Sequence, residues 1–323
     1  MKKLSVCVLF GGMSPEHEVS LRSAESVLNN MDHEKYNIFP VGIKKDGDWV
    51  LYAGTDYSLL PTGEWEHYPE NRRATISPVR GQGLLQMAGI PYVGPHISAS
   101  AVAMDKTLTK LVADHAGVPQ ASWQLVRTSD LECHMDTILD QVEKRFTYPV
   151  FVKPAGTGSS VGVSKAADRE KLKHALVEAG AFDTKILVEE FIRGREVEVA
   201  VMGNANPVAS ECGEIDSGAE FYDYESKYIT NTSTAYIPAR IPEDVAEQVR
   251  EMAVKVYTAI GCQGLSRVDF FVTYDENRVV FNEINTIPGF TSISMFPKLF
   301  SASGIPYDQL IDELLRLALE ACK

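Results

Sequence analysis

The chain has no apolar run long enough to span a bilayer, no cluster of lysine and arginine, and only five cysteines in 323 residues. Each shortage removes a class of function. A membrane helix needs about 20 predominantly apolar residues, and none is present. Met1-Lys2-Lys3 followed by Leu4 to Phe10 imitates a signal peptide, but that run is short, ends in Gly11-Gly12 and lacks a small-residue cleavage site. A formal charge of −13 and a pI near 5.1 argue against nucleic acid or an anionic membrane as the main partner. Cys7, Cys133, Cys212, Cys262 and Cys322 are odd in number and unpaired in spacing, which fits a reducing cytoplasm. Two nucleotide motifs are missing as well. GGMSPE, after the first strand, lacks the third glycine of the dinucleotide fingerprint, and no G-K-[ST] opens a helix.

What is present is a globular composition, 45% hydrophobic, on a chain long enough for two or three domains. Leu4 to Phe10 reads as a strand. Ser14 as N-cap and Pro15 at the first helical position start a helix from Glu16 to about Met31, and a strand from Tyr36 to Ile43 follows. The strand-turn-helix order predicts an α/β half-unit with ligand space at the strand's carboxyl end. Glu16 and Glu18 in the first helical turn either complement the helix dipole or face that space. From about Tyr52 to Gln82 the pattern is lost, and a structureless loop that long in a compact domain counts against any simple assignment.

Beyond Gly83 the chemistry-bearing residues gather in three stretches. Tyr148 to Lys165 carries a strand to Lys153, then a Gly/Ser loop that exposes backbone N–H groups to a phosphate or simply closes a hairpin. Lys185 to Ile192 and Glu196 to Met202 read as strands. Their Glu189, Glu190 and Glu196, next to Phe191 and Ile192, suit a nucleoside or an exposed strand face. Glu214 to Thr234 is a polar, aromatic-rich loop of lid length containing Lys227 and Tyr228. Gly264 to Met295 is the densest stretch. Val268 to Thr273 and Val279 to Phe281 flank the turn Asp275-Glu276-Asn277 as an antiparallel hairpin. Asp269 on one strand, with Glu283 and Asn285 two apart on the other, is a hard-oxygen set for Mg²⁺ or Mn²⁺. Arg267 points to the same face, and Pro288 to Ser292 is a small-residue loop with backbone donors.

Taken together, GGMSPEHEVSLRSA, MDK at Met104 to Lys106, VKPAGTGSSVGVSK, YDYESKY, SRVDFF and NEINTIPGFTSISM resemble the D-alanine–D-alanine ligases of the ATP-grasp superfamily. The resemblance covers Met1 to about Ile43 and Gly83 to the end. It implies an α/β (α+β) ATP-grasp fold with an N-terminal doubly wound domain: residues 1–95, a central subdomain 96–188 and a C-terminal subdomain 189–323. It implies two D-alanines as substrates, ATP, two Mg²⁺ or Mn²⁺ ions, a cytoplasmic homodimer, and a place in peptidoglycan precursor synthesis. By position, Lys106, Lys153, Ser160, Glu189, Phe191, Ile192, Glu196 and Lys227 match nucleotide contacts, and Asp269, Glu283 and Asn285 match metal ligands. Glu16, Ser159 and Tyr228 match the group that holds the first substrate. Arg267 and the Gly289 N–H match donors to the transferring phosphoryl group, and Ser294 and Met295 match the second-substrate carboxylate site. Tyr228 and Met295 favour D-alanine over D-serine or D-lactate as second substrate.

One departure stands out. Family members carry a further strand and a HGxxGEDGTxQG motif before the GLLQMAGIPYVG segment, whereas here Pro78-Val79-Arg80-Gly81 runs into Gln82-Gly83. Either the sequence as given lists only part of the natural chain, the reading favoured by the high cost of exposing a sheet that has lost a central strand, or a real deletion has removed part of the first-substrate pocket. The alternatives to a D-alanyl-D-alanine ligase are therefore a D-Ala-D-Ser or D-Ala-D-Lac ligase, or, where the deletion is real, an ATP-binding relative inactivated by it. Ile293 stands where some relatives carry histidine, which leaves histidine out of the implied site.

Overall fold

A computed structural model of the chain describes residues 3–14, 16–74, 82–158, 160–216 and 234–322. They form two compact units, residues 1–94 with 287–323, and residues 95–286. The first boundary adjoins the expected one at 95. The stretches expected as separate central and C-terminal subdomains share one unit up to Thr286, and the tail from Ile287 belongs with the N-terminal unit.

In the first unit, β1 (Leu4–Gly11) leads into α1 (His17–Asn30), whose buried His17, Leu21, Ala24 and Leu28 recur at helical spacing. The helix starts later than expected. Glu16 occupies the cap position and Ser14 lies two residues before it, where its Oγ accepts the Glu16 N–H at 3.3 Å. β2 (Tyr36–Ile43) pairs parallel with β1, and β3 (Trp49–Leu51) and β4 (Arg72–Arg73) extend the sheet antiparallel.

The stretch from Tyr52 is not a structureless loop. It holds α2 (Leu59–Thr62) and a 3-10 turn at Glu64–His67, and it buries Tyr52, Tyr57, Leu60 and Trp65 in the same core as Phe10, Leu21 and Leu28. Turns of four residues closed by Gly63 in the left-handed region are too short to print a 3.6-residue period. α3 (Gln82–Met87) follows. The junction near Gly81, where a segment is expected to be missing, falls at residues 75–81, outside the described residues. Among the described residues β1 is the sheet edge, with Leu4 and Leu9 38% and 40% exposed.

The second unit opens with α4 (Ile97–Met104) and α5 (Lys106–His115), the latter capped by Asp105, whose side chain accepts the Thr107 and Leu108 N–H groups. β5 (Trp123–Arg127), α6 (Thr128–Arg145), β6 (Val150–Pro154), β7 (Ser164–Ala166), α7 (Arg169–Gly180) and β8 (Lys185–Glu190) build an antiparallel sheet of order β5-β8-β6-β7. α6 and α7 cover one face, where Val126, Leu139, Val152, Leu172, Leu176 and Val188 form a core. β9 (Gly194–Met202), β10 (Val208–Asp216), β11 (Thr234–Tyr236), α8 (Glu243–Ile260), β12 (Leu265–Thr273) and β13 (Val279–Asn285) make a second sheet, β11-β10-β9-β12-β13. α8 packs Val249, Ala253 and Val256 on Val199, Val268 and Phe270. Alternation along the strands sends the intervening residues of both sheets to the opposite faces, and the charged groups stand there. The chain then returns to the first unit for α9 (Met295–Ala302) and α10 (Tyr307–Ala321), which packs against α1.

Candidate functional site

Glu189 on β8 is the electrostatic centre of the first half of the site. Its Oε2 lies 2.6 Å from Lys153 Nζ on β6 and its Oε1 2.7 Å from Lys110 Nζ on α5. Lys110 and Glu189 are buried, and Lys153 is partly buried. Burial pushes the Glu189 carboxyl up, but Lys153 and Lys110 outweigh it and hold the carboxyl at about 2, below its ordinary 4.5. Burial alone lowers Lys153; Glu189 more than offsets it, and the ammonium ends above its usual value. Lys106, one turn before Lys110, is pulled down by burial and donates to Thr157 O at 2.5 Å.

A depressed carboxyl contributes stability that is complete above its unfolded pKa and fades as pH falls toward the folded one. For Glu189 this amounts to about 3 kcal/mol at pH 6, shrinking to about 1 at pH 3. Urea midpoints are therefore expected to fall more for wild type than for Glu189→Gln between those pH values, and parallel declines would refute the coupling.

The loop after β6 joins this cluster through Lys106, whose N–H also donates to Ala155 O at 3.0 Å. Ser160 and Gly162 have φ of +59° and +73°. A Cβ on Gly162 would lie 2.7 Å from the Phe182 ring and 2.8 Å from Pro154. Gly162→Ala thus carries both backbone strain and a clash, and it is expected to raise the KM for ATP at least about tenfold with a smaller change in kcat. Steady-state kinetics with ATP varied would check this.

Phe191 stands 5.9 Å from Phe151, centroid to centroid, with Lys165 Nζ 4.6 Å above its ring, and Ile192 is buried beside Ala121 and Val280. Glu190 accepts the Ser122 N–H at 2.8 Å, which ties its carboxylate to the backbone.

The hairpin β12–β13 forms as expected, and it contains a bulge. Asp269 pairs with Glu283, but Phe270 pairs with Phe281, so Asn282 is an extra residue. Phe281 and Ile284 both enter the core. Strict alternation from Phe281 would turn Glu283 inward; the bulge places Asn282 and Glu283 together on the polar side. There they line a pocket with Asp269, Glu196 and Glu198. Asn282 Oδ1 lies 3.4 Å from Lys153 Nζ, so the hairpin and the lysine cluster meet within this unit.

Arg267 donates through Nε and Nη2 to both oxygens of Asp269, at 2.8 and 2.7 Å, and its Nε lies 3.2 Å from Glu198. Burial opposes its charge, yet Asp269 and Glu198 keep it fully protonated. Asn285 lies across the ladder from Arg267 and is exposed. The donors Asp269, Glu283 and Asn285 are all oxygen, and the first two share a pocket, a set that suits Mg²⁺ or Mn²⁺ and not zinc.

Glu16, Gly289, Ser294 and Met295 belong to the first unit. Glu16 is exposed at the start of α1. Ser294 precedes α9, and its Oγ accepts the Thr291 N–H at 3.0 Å and lies 2.7 Å from Thr291 Oγ1. Met295 is the first residue of α9, where backbone N–H groups lack intrahelical partners. Ser159, Lys227 and Tyr228 lie outside the described residues, as does the expected lid over 217–233; the ends of the stretch expected as lid are strand instead, Glu214 to Asp216 closing β10 and Thr234 opening β11. Sequence reasoning missed Lys110, Glu198 and Asn282. The first two carried a signal: Lys110 follows Lys106 by four residues on one helix, and Glu198 follows Glu196 by two on one strand.

Residues 5–76 match the family described as D-ala D-ala ligase N-terminus, and residues 112–316 match D-ala D-ala ligase C-terminus. A D-alanine–D-alanine ligase of Caldicellulosiruptor bescii is 46% identical over 352 aligned positions, covering 99% of this chain and 96% of that protein. One from Acetivibrio thermocellus is 45% identical over 363 positions, covering 98% and 96%. Against a chain of 323 residues, 352 positions leave at least 29 with no counterpart here. Among solved structures, the VanG D-Ala:D-Ser ligase of Enterococcus faecalis superposes with a TM-score of 0.88 at 33% identity, covering 98% of this chain and 100% of that one. The D-alanine-D-alanine ligase of Coxiella burnetii gives 0.85 at 33% identity, covering 100% and 95%.

Proposed function

The chain belongs to the D-alanine–D-alanine ligase family, an ATP-dependent ligase family of the ATP-grasp fold, and on that premise we propose that it joins two molecules of D-alanine into D-alanyl-D-alanine for peptidoglycan precursor synthesis. The observation that carries the reading is the meeting of the Lys106, Lys153 and Glu189 cluster with the Asp269, Glu283 and Arg267 cluster in one unit.

Lys106 and Lys153 hold the phosphates of ATP, Phe191 and Ile192 pack on its ring, and the backbone around Ser160 closes over the phosphates. Asp269, Glu283 and Asn285 are the residues that would hold two magnesium or manganese ions, which would supply positive charge against phosphate. The carboxylate of the first D-alanine attacks the γ-phosphorus, ADP leaves, and an acyl phosphate forms. The amine of the second D-alanine attacks the acyl carbon, phosphate leaves, and the nitrogen sheds a proton. Arg267 is assigned to the charge that develops in these steps; the family resemblance adds the Gly289 N–H to that role and gives Glu16, Ser159 and Tyr228 to the first substrate. Ser294 and the Met295 N–H, at the start of α9, take the second carboxylate.

Five free cysteines and the absence, among the described residues, of a helix able to cross a membrane support a cytoplasmic location, and homodimeric assembly completes the proposal. The D-serine ligase neighbour makes second-substrate choice the sharpest question. Phosphate release should be measured with D-alanine alone and with D-alanine plus D-serine or D-lactate. D-alanine-dependent release with the dipeptide as product supports the reading; nucleotide binding without turnover would show that the shortened N-terminal unit has lost the reaction.

A further inference from the structure

Lys110 has no part in the reading above, yet it is one of the most deeply placed charges in the protein. Its side chain is 3% exposed, and Nζ reaches Glu189 Oε1 at 2.7 Å while Lys153 takes the other oxygen. α5 fixes the stem, since the Lys110 carbonyl accepts from Gln120 Nε2 at 2.8 Å. A buried ion pair is a poor device for stability alone, because apolar residues of similar volume commonly do as well or better. A second lysine on one carboxylate therefore points to another role, and charge counting supplies it. Glu189 with Lys153 alone sums to zero. With Lys110 added, the triad carries one net positive charge on the side where Lys153 meets the hairpin.

We infer that Lys110 is a positioning residue for the nucleotide: by occupying one oxygen of Glu189 it leaves the charge of Lys153 uncancelled, so that the phosphates of ATP meet a net cation. The inference rests on the functional reading, which assigns Lys153 to the phosphates. It differs from a purely structural role in what it predicts. A charge effect falls on phosphates and spares the nucleoside, whereas loosened packing weakens both.

The test measures dissociation constants for ADP and for adenosine by calorimetry on the full chain, with thermal melting as the check on folding. Lys110→Met is expected to weaken ADP about thirtyfold and adenosine less than about threefold. Lys110→Gln, which keeps a donor toward Glu189 without charge, should lose the same selectivity. The double variant Lys110→Met with Glu189→Gln removes one charge of each sign, and it should return the ADP-to-adenosine ratio to within about threefold of wild type. The double variant carries the decision if Lys110→Met does not fold. An unchanged ratio in Lys110→Gln, or no recovery in the double variant, overturns the inference alone. Wild-type protein that takes up no ADP overturns the functional reading and this inference with it.

Discussion

Arg267→Ala is expected to lower D-alanine-dependent turnover at least about a thousandfold while ATP affinity stays within about tenfold. The asymmetry follows from where the guanidinium stands. It bridges Asp269 and Glu198 on the hairpin side, while the contacts assigned to nucleotide phosphates come from Lys106 and Lys153. Removing a donor to developing charge subtracts mainly from the transition state, so kcat falls and binding persists. A second effect accompanies it. Asp269 and Glu198 face each other across β12 and β9, and without Arg267 two carboxylates with little solvent access are left to repel. Breaking such a cluster typically costs about 3–5 kcal/mol, so the melting temperature should fall as well. Single-turnover kinetics on folded variant separate the two, and equal losses of turnover and ATP affinity would refute the assignment of Arg267.

Glu283→Gln is the second large effect. The change keeps size and hydrogen-bonding capacity and removes one of the pocket's four carboxylates, the one that faces Asp269 across the ladder. A neutral amide is a weak ligand for a hard dication, so the magnesium concentration for half-maximal rate should rise at least about tenfold and turnover at saturating metal should fall about a hundredfold. Titrating Mg²⁺ and Mn²⁺ against rate would check it. A variant with unaltered metal dependence would remove Glu283 from the ligand set. Asn285, exposed at the end of β13, serves as comparison: Asn285→Ala should shift the same curve less, because one neutral oxygen is lost where Glu283→Gln loses a charge.

Much of this site was legible before any coordinates. β1, α1, β2, the hairpin and the strands around Lys153 and Glu189 follow from short-range patterns, namely β-branched runs, a turn of Asp, Glu and Asn, and apolar residues at helical spacing. The long stretch after Tyr52 drew no assignment for the complementary reason. Its structure comes from burying Tyr52, Tyr57, Leu60 and Trp65 against Phe10 and α1, contacts that leave no period in the sequence. The start of α1 moved for a local reason, since Ser14 closes a turn onto Glu16 N–H instead of capping the helix.

By itself, the sequence determined which chemical groups this protein possesses, in what order, and the family to which that order belongs, because each motif is a local pattern of residue type and spacing. Tertiary structure decided how those groups act on one another. The bulge at Asn282 sets which way Glu283 faces, and it exists through pairing with a strand more than ten residues earlier. The net charge beside Lys153 depends on Lys110, brought from a helix to a strand nearly eighty residues later. Neither could be read locally, since a ladder register and a buried ion pair are properties of two chain segments at once.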